Sequence, residues 1–456
     1  MTGAGTATAA SLAEGIADRE RVLEAFFAAH AEEVSRAAEA LAQAFTGGGW
    51  LYALGSGAAA TDAAHVAVEF MHPVIVGKRA LPALALGNDP TGSCRLPADA
   101  RGAALGICHA DTDPAVAAFL ASAGAQGLLT ISLSGPDAVG GADLSFAVPS
   151  RDPAIVQEVQ ETVYHVLWEL VHVFGEHPLE AAQTCVTCGD VAVRATVIEA
   201  RGNSAMVEPA ESPGGPREEV ATDLIAEVRE GDLLLCHAGV ALERLAVEEP
   251  AGAGDAGFLY PFLDPGGDGR GADLAIASAS AKQKAADAAG LRRGIDPAAI
   301  AEAGREIGER LASGGRLFAF GNGGSATDAQ DLAADCATRG LGALCLTDDV
   351  ASVTAIANDV GFENAFARQL IALGTDRDVA LGISTSGASE NVLAGLAEGH
   401  RRGMLTCAIS GYGGGRLVEE AWLDHLLAVR GDYVPRVQEA QATIYHLLLE
   451  CIAERT

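Results

Sequence analysis

Basic residues are scarce in this sequence. Lysine and arginine total 30 against 61 acidic residues among 456, a formal net charge of −31, and lysine occurs only at Lys78, Lys282 and Lys284. A field of that sign repels a phosphate backbone or an anionic membrane surface, so no nucleic acid and no membrane are expected as partners. Any phosphate must be held locally, by backbone N–H groups and hydroxyls. Long hydrophobic runs are missing too. No stretch of about 18 uncharged apolar residues occurs, so no membrane-spanning helix is expected. The start of the chain lacks a basic region followed by an apolar one, which argues against a signal peptide. Nine cysteines are spread through apolar stretches, with a single Cys-x-x-Cys at Cys185 and Cys188. An odd, sparse set in a long chain reads as reduced and cytoplasmic. The rest is ordinary globular material, 49% hydrophobic and 20% charged, enough for about three domains at roughly 150 residues each.

The chain repeats itself. LYALGSGAAATDAAHVAVEF at 51–70 matches LFAFGNGGSATDAQDLAADC at 317–336, an offset of 266. IVQEVQETVYHVLWEL at 155–170 matches RVQEAQATIYHLLLEC at 436–451, an offset of 281. The 15 extra residues fall around SVTAIANDVGFENAF (352–366), which has no counterpart in the first copy. In the second copy, short apolar runs occur at 316–320, 343–347, 378–384, 404–410 and 425–429, between Ala-rich helical stretches. Such alternation predicts a parallel sheet covered on both faces, with ligands beyond the carboxyl ends of its strands. Two helical segments precede each core, at about 9–29 and 31–46, and at about 272–290 and 297–313. Between the copies, residues 184–245 carry β-rich runs separated by turns, which predicts a small β-barrel. The expected fold class is α/β, two α/β/α sandwiches at 1–180 and 272–456 flanking a barrel at 181–247, with a Gly/Pro/Asp-rich linker at 248–271.

The second copy offers a phosphate cradle. Its first strand runs into GNGGSATDAQ, a Gly-rich turn opening a helix, which points backbone N–H groups and a positive dipole end at an anion. Its third strand ends in STSGAS, which clusters Ser384, Thr385, Ser386 and Ser389 before the next helix. Two hydroxyl-rich turns at adjacent strand ends can surround one phosphate without a cation. GNGGS, AIANDVGFENAF, LGISTSGAS and RVQEAQATIYH, in this order, resemble the phosphoheptose isomerases of the SIS (sugar isomerase) superfamily. The resemblance covers most of 297–451. It implies that Asn322, Gly323, Gly324, Ser325, Ser384, Thr385, Ser386 and Ser389 hold the phosphate of a heptose phosphate or related sugar, with Arg339 and Asp359 at substrate positions. It also implies ketose–aldose isomerisation through an enediol, which needs an acid–base pair at C1 and C2, and a homo-oligomer. At the catalytic position this copy has Asp335 in place of the family's glutamate, and at the metal-ligand position Asp331 in place of histidine. Gln438 and His446 match. Asp331 and Asp335 share a helix face, to bind a divalent ion or simply to face solvent.

The first copy keeps the opposite half. At the aligned positions it has His65 and Glu69, with Gln157 and His165, which by the resemblance are a divalent metal site, zinc for example, with Glu69 and His165 as acid–base groups. Its cradle is lost: GNGGS has become GSGAA and STSGAS has become CHADTD. Gln157 and His165 stand eight residues apart, roughly 12 Å of helix rise. One ion reaching both needs help from a neighbouring domain. A composite site follows as an expectation, with the cradle from the second copy and the metal set from the first. The alternative is a degenerate first copy kept for dimerisation, in a non-catalytic sugar-phosphate sensor or scaffold.

In the middle piece, CVTCGDVAVRATVIEA followed by GDLLLCHAGVALERL resembles the HypC/HupF chaperones of [NiFe]-hydrogenase maturation over about 184–246. The resemblance implies that Cys185 or Cys188, with His237, transiently holds iron, and that the partners are a maturation scaffold and the hydrogenase large subunit. Thiolate plus imidazole suits a borderline metal with open positions.

Overall fold

A computed structural model describes residues 8–73, 78–87, 96–109, 113–136, 141–176, 193–201, 204–210, 217–221, 228–237, 240–245 and 270–453. They fall into two compact units. One joins Met1–Phe70 and Pro82–Phe174 with Arg270–Thr456, and the other takes Met71–Leu81 and Gly175–Gly269. Among the described residues no helix is long and apolar enough to cross a membrane.

The larger unit holds both copies. In the first, β1 (Trp50–Gly55), β2 (Ala83–Ala85), β3 (Gly102–Ile107), β4 (Leu129–Ser134) and β5 (Leu144–Ala147) form a parallel sheet in the order β2-β1-β3-β4-β5. In the second, β11 (Leu317–Phe320), β12 (Ala343–Cys345), β13 (Val379–Ser384), β14 (Leu405–Ser410) and β15 (His425–Ala428) repeat it as β12-β11-β13-β14-β15. The central strands are buried along nearly their whole length, as continuous apolar runs covered on both faces require. The segment SVTAIANDVGFENAF, present in the second copy alone, forms a helix (Val350–Val360), a short turn and the start of another helix (Ala365–Leu373).

The leading helices correct one expectation. The two segments placed at 9–29 and 31–46 are a single helix, α1 (Ala9–Thr46), because nothing between Ala28 and Ala31 breaks it. In the second copy the break is real. Gly294 and Ile295 lead to Asp296, whose carboxylate accepts from the N–H groups of Ala298 and Ala299, with Pro297 at the first helical position. The apolar side of α1 contributes Leu12 and Ile16 to the core of the second copy, where they join Val437, Tyr445 and Leu448. The first helix of one copy thus packs into the core of the other, and each closing helix, Pro153–Glu176 or Val434–Ala453, is almost fully buried.

The smaller unit carries β6 (Val193–Arg201), β7 (Ser204–Pro209), β8 (Glu218–Ala221), β9 (Leu233–His237) and β10 (Val240–Leu245), paired in the closed order β10-β8-β7-β6-β9. Ala195 and Val197, then Ala205 and Val207, turn inward at a period of two onto Val220 and Leu234. His237 ends β9 opposite Val240. Cys185, Cys188 and the linker at 248–269 lie outside the described residues.

Candidate functional site

Both copies use the same strand–glycine–helix device. Gly55 precedes α2 (Ala59–Met71), and a Cβ on it would lie 1.7 Å from the Ala59 carbonyl oxygen. Gly321 precedes the helix Gly324–Thr338, and its Cβ would lie 2.4 Å from the Ser325 oxygen. Gly323 caps that helix at φ +55°, a region open to glycine.

In the second copy Ser325 follows β11 through the Gly-rich turn and Ser384 ends β13, the adjacent strand, and both are buried. Ser384 Oγ meets Ser389 Oγ at 3.0 Å, and Ser386 Oγ accepts from the Ala388 N–H at 3.2 Å. Asn322 exchanges paired amide hydrogen bonds of 2.8 Å with Asn391, a residue the motifs did not single out. Thr385 continues directly from β13. Arg339 sits at the end of its helix and pairs with Asp335 at 3.1 Å. Asp359 is exposed and accepts from the Asn358 amide.

The cradle turn of the second copy abuts the imidazole of the first. A Cβ on Gly324 would fall 2.4 Å from His65 Nε2 and 2.1 Å from Gln438 Nε2. Gln438 Nε2 lies 3.3 Å from His65 Nε2, and Glu69 Oε1 lies 3.7 Å from it. The Nδ1 of His65 meets the Tyr164 hydroxyl at 3.0 Å. A ring that donates Nδ1–H there leaves Nε2 as a lone pair facing the Gln438 amide. His165 stands next to it, ring centroids 5.2 Å apart. Its Nδ1 meets Glu439 Oε1 at 3.0 Å and its Nε2 has no partner. Burial, with His65 adding to it, pushes His165 down to about 3, so its ring is neutral. Glu69 Oε2, Gln438 Oε1 and Glu161 Oε1 are also buried without a hydrogen-bond partner. A carboxylate on Nδ1 of a histidine with an empty Nε2 is the usual support of a metal-ligating ring. Among the described residues one group can converge on an ion, His65, Glu161 and His165, with ligand atoms all within 4.8 Å of one another.

The set His65, Glu69, Gln157 and His165 is thus divided. Gln157 reaches the opposite side, where its Nε2 donates to Asp331 Oδ2 at 2.9 Å and its Oε1 meets His446 Nε2 at 3.2 Å. The amide beside His65 is Gln438, from the other copy. The cause is the helix geometry anticipated from the eight-residue spacing: one helix cannot bring both side chains to one point. The second-copy set is divided likewise. Asp331 accepts from Gln157, from the Tyr445 hydroxyl at 2.9 Å and from Thr61 at 3.4 Å. Asp335 turns to Arg339, and Gln438 belongs to the His65 side. With their oxygens engaged by donors, Asp331 and Asp335 do not assemble a metal group with His446.

A small, partly open cleft joins the two sides, lined by the paired positions Thr61 and Thr327, Asp62 and Asp328, and Tyr164 and Tyr445. Asp328, buried and with Oδ2 unpartnered, is pushed up to about 7 by burial, against the pull of His65 and with Asp331 and Asp62 adding to the rise. Its signal was the TDA triplet common to both copies. His109, where the cradle of the second copy has Thr385, binds Asp62 at 2.8 Å instead. Asp111 lies outside the described residues.

Residues 16–103 and 293–411 match the SIS domain, and residues 191–253 match the HupF/HypC family. Phosphoheptose isomerase 1 of Campylobacter jejuni is 43% identical over 161 residues, 34% of this chain and 86% of that protein. The phosphoheptose isomerase of Desulfovibrio desulfuricans is 46% identical over 158 residues, 33% of this chain and 74% of that protein. The chain belongs to the phosphoheptose isomerase family of SIS-domain proteins. Its tandem SIS architecture also superposes on the C-terminal domain of glucosamine-fructose-6-phosphate aminotransferase from Francisella tularensis, with a TM-score of 0.57 over 96% of this chain and 94% of that one. At 9% identity that likeness concerns the fold alone. The phosphoheptose isomerase relatives account for about a third of this SIS protein, which adds a second SIS domain and a HupF/HypC module.

Proposed function

We propose that the chain isomerises a ketose phosphate, a heptose 7-phosphate or a related sugar, at one composite site made by both SIS domains. The observation that carries this is the contact of the Gly324 turn with His65 and Gln438, since a phosphate in the cradle puts the sugar beside the His65–Glu69 face. The Ser325, Ser384, Thr385, Ser386 and Ser389 hydroxyls and the helix N-terminus at Gly324 bind the phosphate. Glu69 takes the proton from C1 of the ketose and returns it at C2, while the hydroxyl proton of O1 passes to O2 within the enediol. His65, His165 and Gln438 fit a divalent ion, because His165 Nε2 and Gln438 Oε1 are buried lone pairs without a donor. Such an ion, when bound, supplies Lewis-acid polarisation of the substrate oxygens. His165, neutral through burial, is assigned to ligation and not to proton transfer.

The Ser325→Ala/Ser386→Ala double variant should weaken sugar-phosphate binding by about 100-fold to 10,000-fold, two hydrogen bonds to a charged group being worth roughly 1.5–3 kcal/mol each. Calorimetry with sedoheptulose 7-phosphate measures it, with Ala59→Ser as the control on the first copy. An unchanged affinity refutes the cradle, and binding without turnover favours the sensor reading.

The HupF/HypC match supports a second role for the middle module, as a carrier of iron in [NiFe]-hydrogenase maturation through Cys185 or Cys188 and His237. Cys185→Ala, Cys188→Ala and His237→Ala should each leave sugar-phosphate binding intact. At least one cysteine change and the histidine change should abolish the infrared bands of iron-bound cyanide and carbonyl in protein co-purified with the maturation scaffold. Absence of those bands from the unmodified chain ends this reading.

A further inference from the structure

Two carboxylates approach the His65 and His165 rings, and the copies differ in one of them. Glu69 follows His65 by four residues and has its counterpart 266 residues on in Asp335. Glu161 has none: 281 residues on, the second copy has Ala442. We infer that Glu161 is the carboxylate ligand of a divalent metal ion held with His65 and His165, which leaves Glu69 free to carry the substrate proton. This rests on the composite-site reading above.

The argument is geometric. The ligand atoms of His65, Glu161 and His165 lie within 4.8 Å of one another, a spread that closes around an ion by small rotations of the side chains. Glu69 is not part of that convergent group. Glu161 is 3% exposed and its Oε1 has no hydrogen-bond partner, as His165 Nε2 has none. Its surroundings make matters worse for an empty site. Asp328, Glu439 and Asp62 crowd it with negative charge, and Arg292 opposes them. An unpaired carboxylate at such a place costs stability, and the second copy dispenses with it through alanine. A divalent cation turns the same crowding of acids into a favourable field. Two imidazoles and a carboxylate, with room for a fourth donor, form an open set suited to catalytic zinc.

The test uses the full chain carrying Cys185→Ser and Cys188→Ser, so that thiolates do not compete for zinc. Zinc is titrated into metal-stripped protein, and bound metal is counted after gel filtration. Cobalt absorption reports the ligand set independently of activity. The parent should bind one zinc, and His65→Ala none. Glu161→Gln should lose at least about 10-fold in affinity, since even outer partners of a metal site are worth 10–100-fold, and should shift the cobalt bands. Glu69→Gln should keep zinc affinity within a few-fold and lose turnover. Without metal, Glu161→Gln should melt at or above the parent, which shows that it folds. If Glu161→Gln keeps parental zinc affinity and cobalt bands while Glu69→Gln loses both, the assignment of Glu161 is overturned and the metal site survives. If zinc binds equally with and without His65, or does not bind the parent, the composite-site metal itself is refuted.

Discussion

Glu69→Gln should lower isomerase turnover by about 100-fold to 10,000-fold, the range that a positioned base contributes. The substitution keeps the shape of a side chain that is 2% exposed, so the site stays filled. What it removes is the carboxylate next to His65 that the metal assignment leaves for proton transfer: Oε2 has no partner, and Oε1 lies 3.7 Å from His65. Turnover of sedoheptulose 7-phosphate, with sugar-phosphate affinity measured beside it, separates the outcomes. A fall in kcat at nearly constant affinity is expected, because the phosphate is held by the other SIS domain. The corresponding Asp335→Asn should change turnover little, since Asp335 is occupied by Arg339 at 3.1 Å. If instead Asp335→Asn abolishes turnover and Glu69→Gln does not, the site works from the opposite side and the composite assignment fails.

Much of this was legible in the residues. The duplication, the five strands of the second copy's sheet and the Gly-rich turn that places Ser325 all follow from local pattern, because apolar runs and glycine turns are decided within a few residues. What escaped was decided by the partner copy. Gln157 and Gln438 stand at equivalent places on equivalent helices, yet each serves the site of the other copy; the eight-residue spacing to His165 called for help from a neighbouring domain but did not say which residue supplies it. Glu161 escaped for a different reason. The alignment of the copies was informative where they agree, whereas Glu161 matters where they differ, opposite Ala442. The uninterrupted α1 illustrates a third limit. A change in side-chain pattern near His30 looked like a boundary, but only a residue such as Gly294 or Pro297 ends a helix against the cooperativity of its neighbours.

The largest loss of stability is expected from Glu158→Ala, about 3–5 kcal/mol, because it breaks a buried ionic cluster that joins the copies. Glu158 is fully buried. Its Oε1 accepts from Arg19 Nε at 2.8 Å and meets His446 Nδ1 at 3.0 Å, and its Oε2 accepts from Thr443 at 2.5 Å with Arg292 at 3.9 Å. Without the carboxylate, Arg19 keeps one carboxylate partner, the half-exposed Glu450, and Arg292 stays fully buried beside carbonyl oxygens. Two buried guanidinium groups facing a void are costly, whereas Glu158→Gln retains two acceptor-compatible contacts and should cost less. Acid should mimic the alanine change. Burial alone raises the Glu158 carboxyl, but Arg19, His446 and Arg292 outweigh it and hold the group well below its ordinary 4.5. A lowered carboxyl contributes stability that is complete above the unfolded value and drains away as pH falls below it toward the folded one. Urea midpoints measured at pH 7 and again below pH 4.5 should therefore converge for the parent and Glu158→Ala. A pH-7 difference under about 1 kcal/mol, or a gap that widens in acid, would show that the copies are held together by apolar packing alone and that the cluster is neutral to stability.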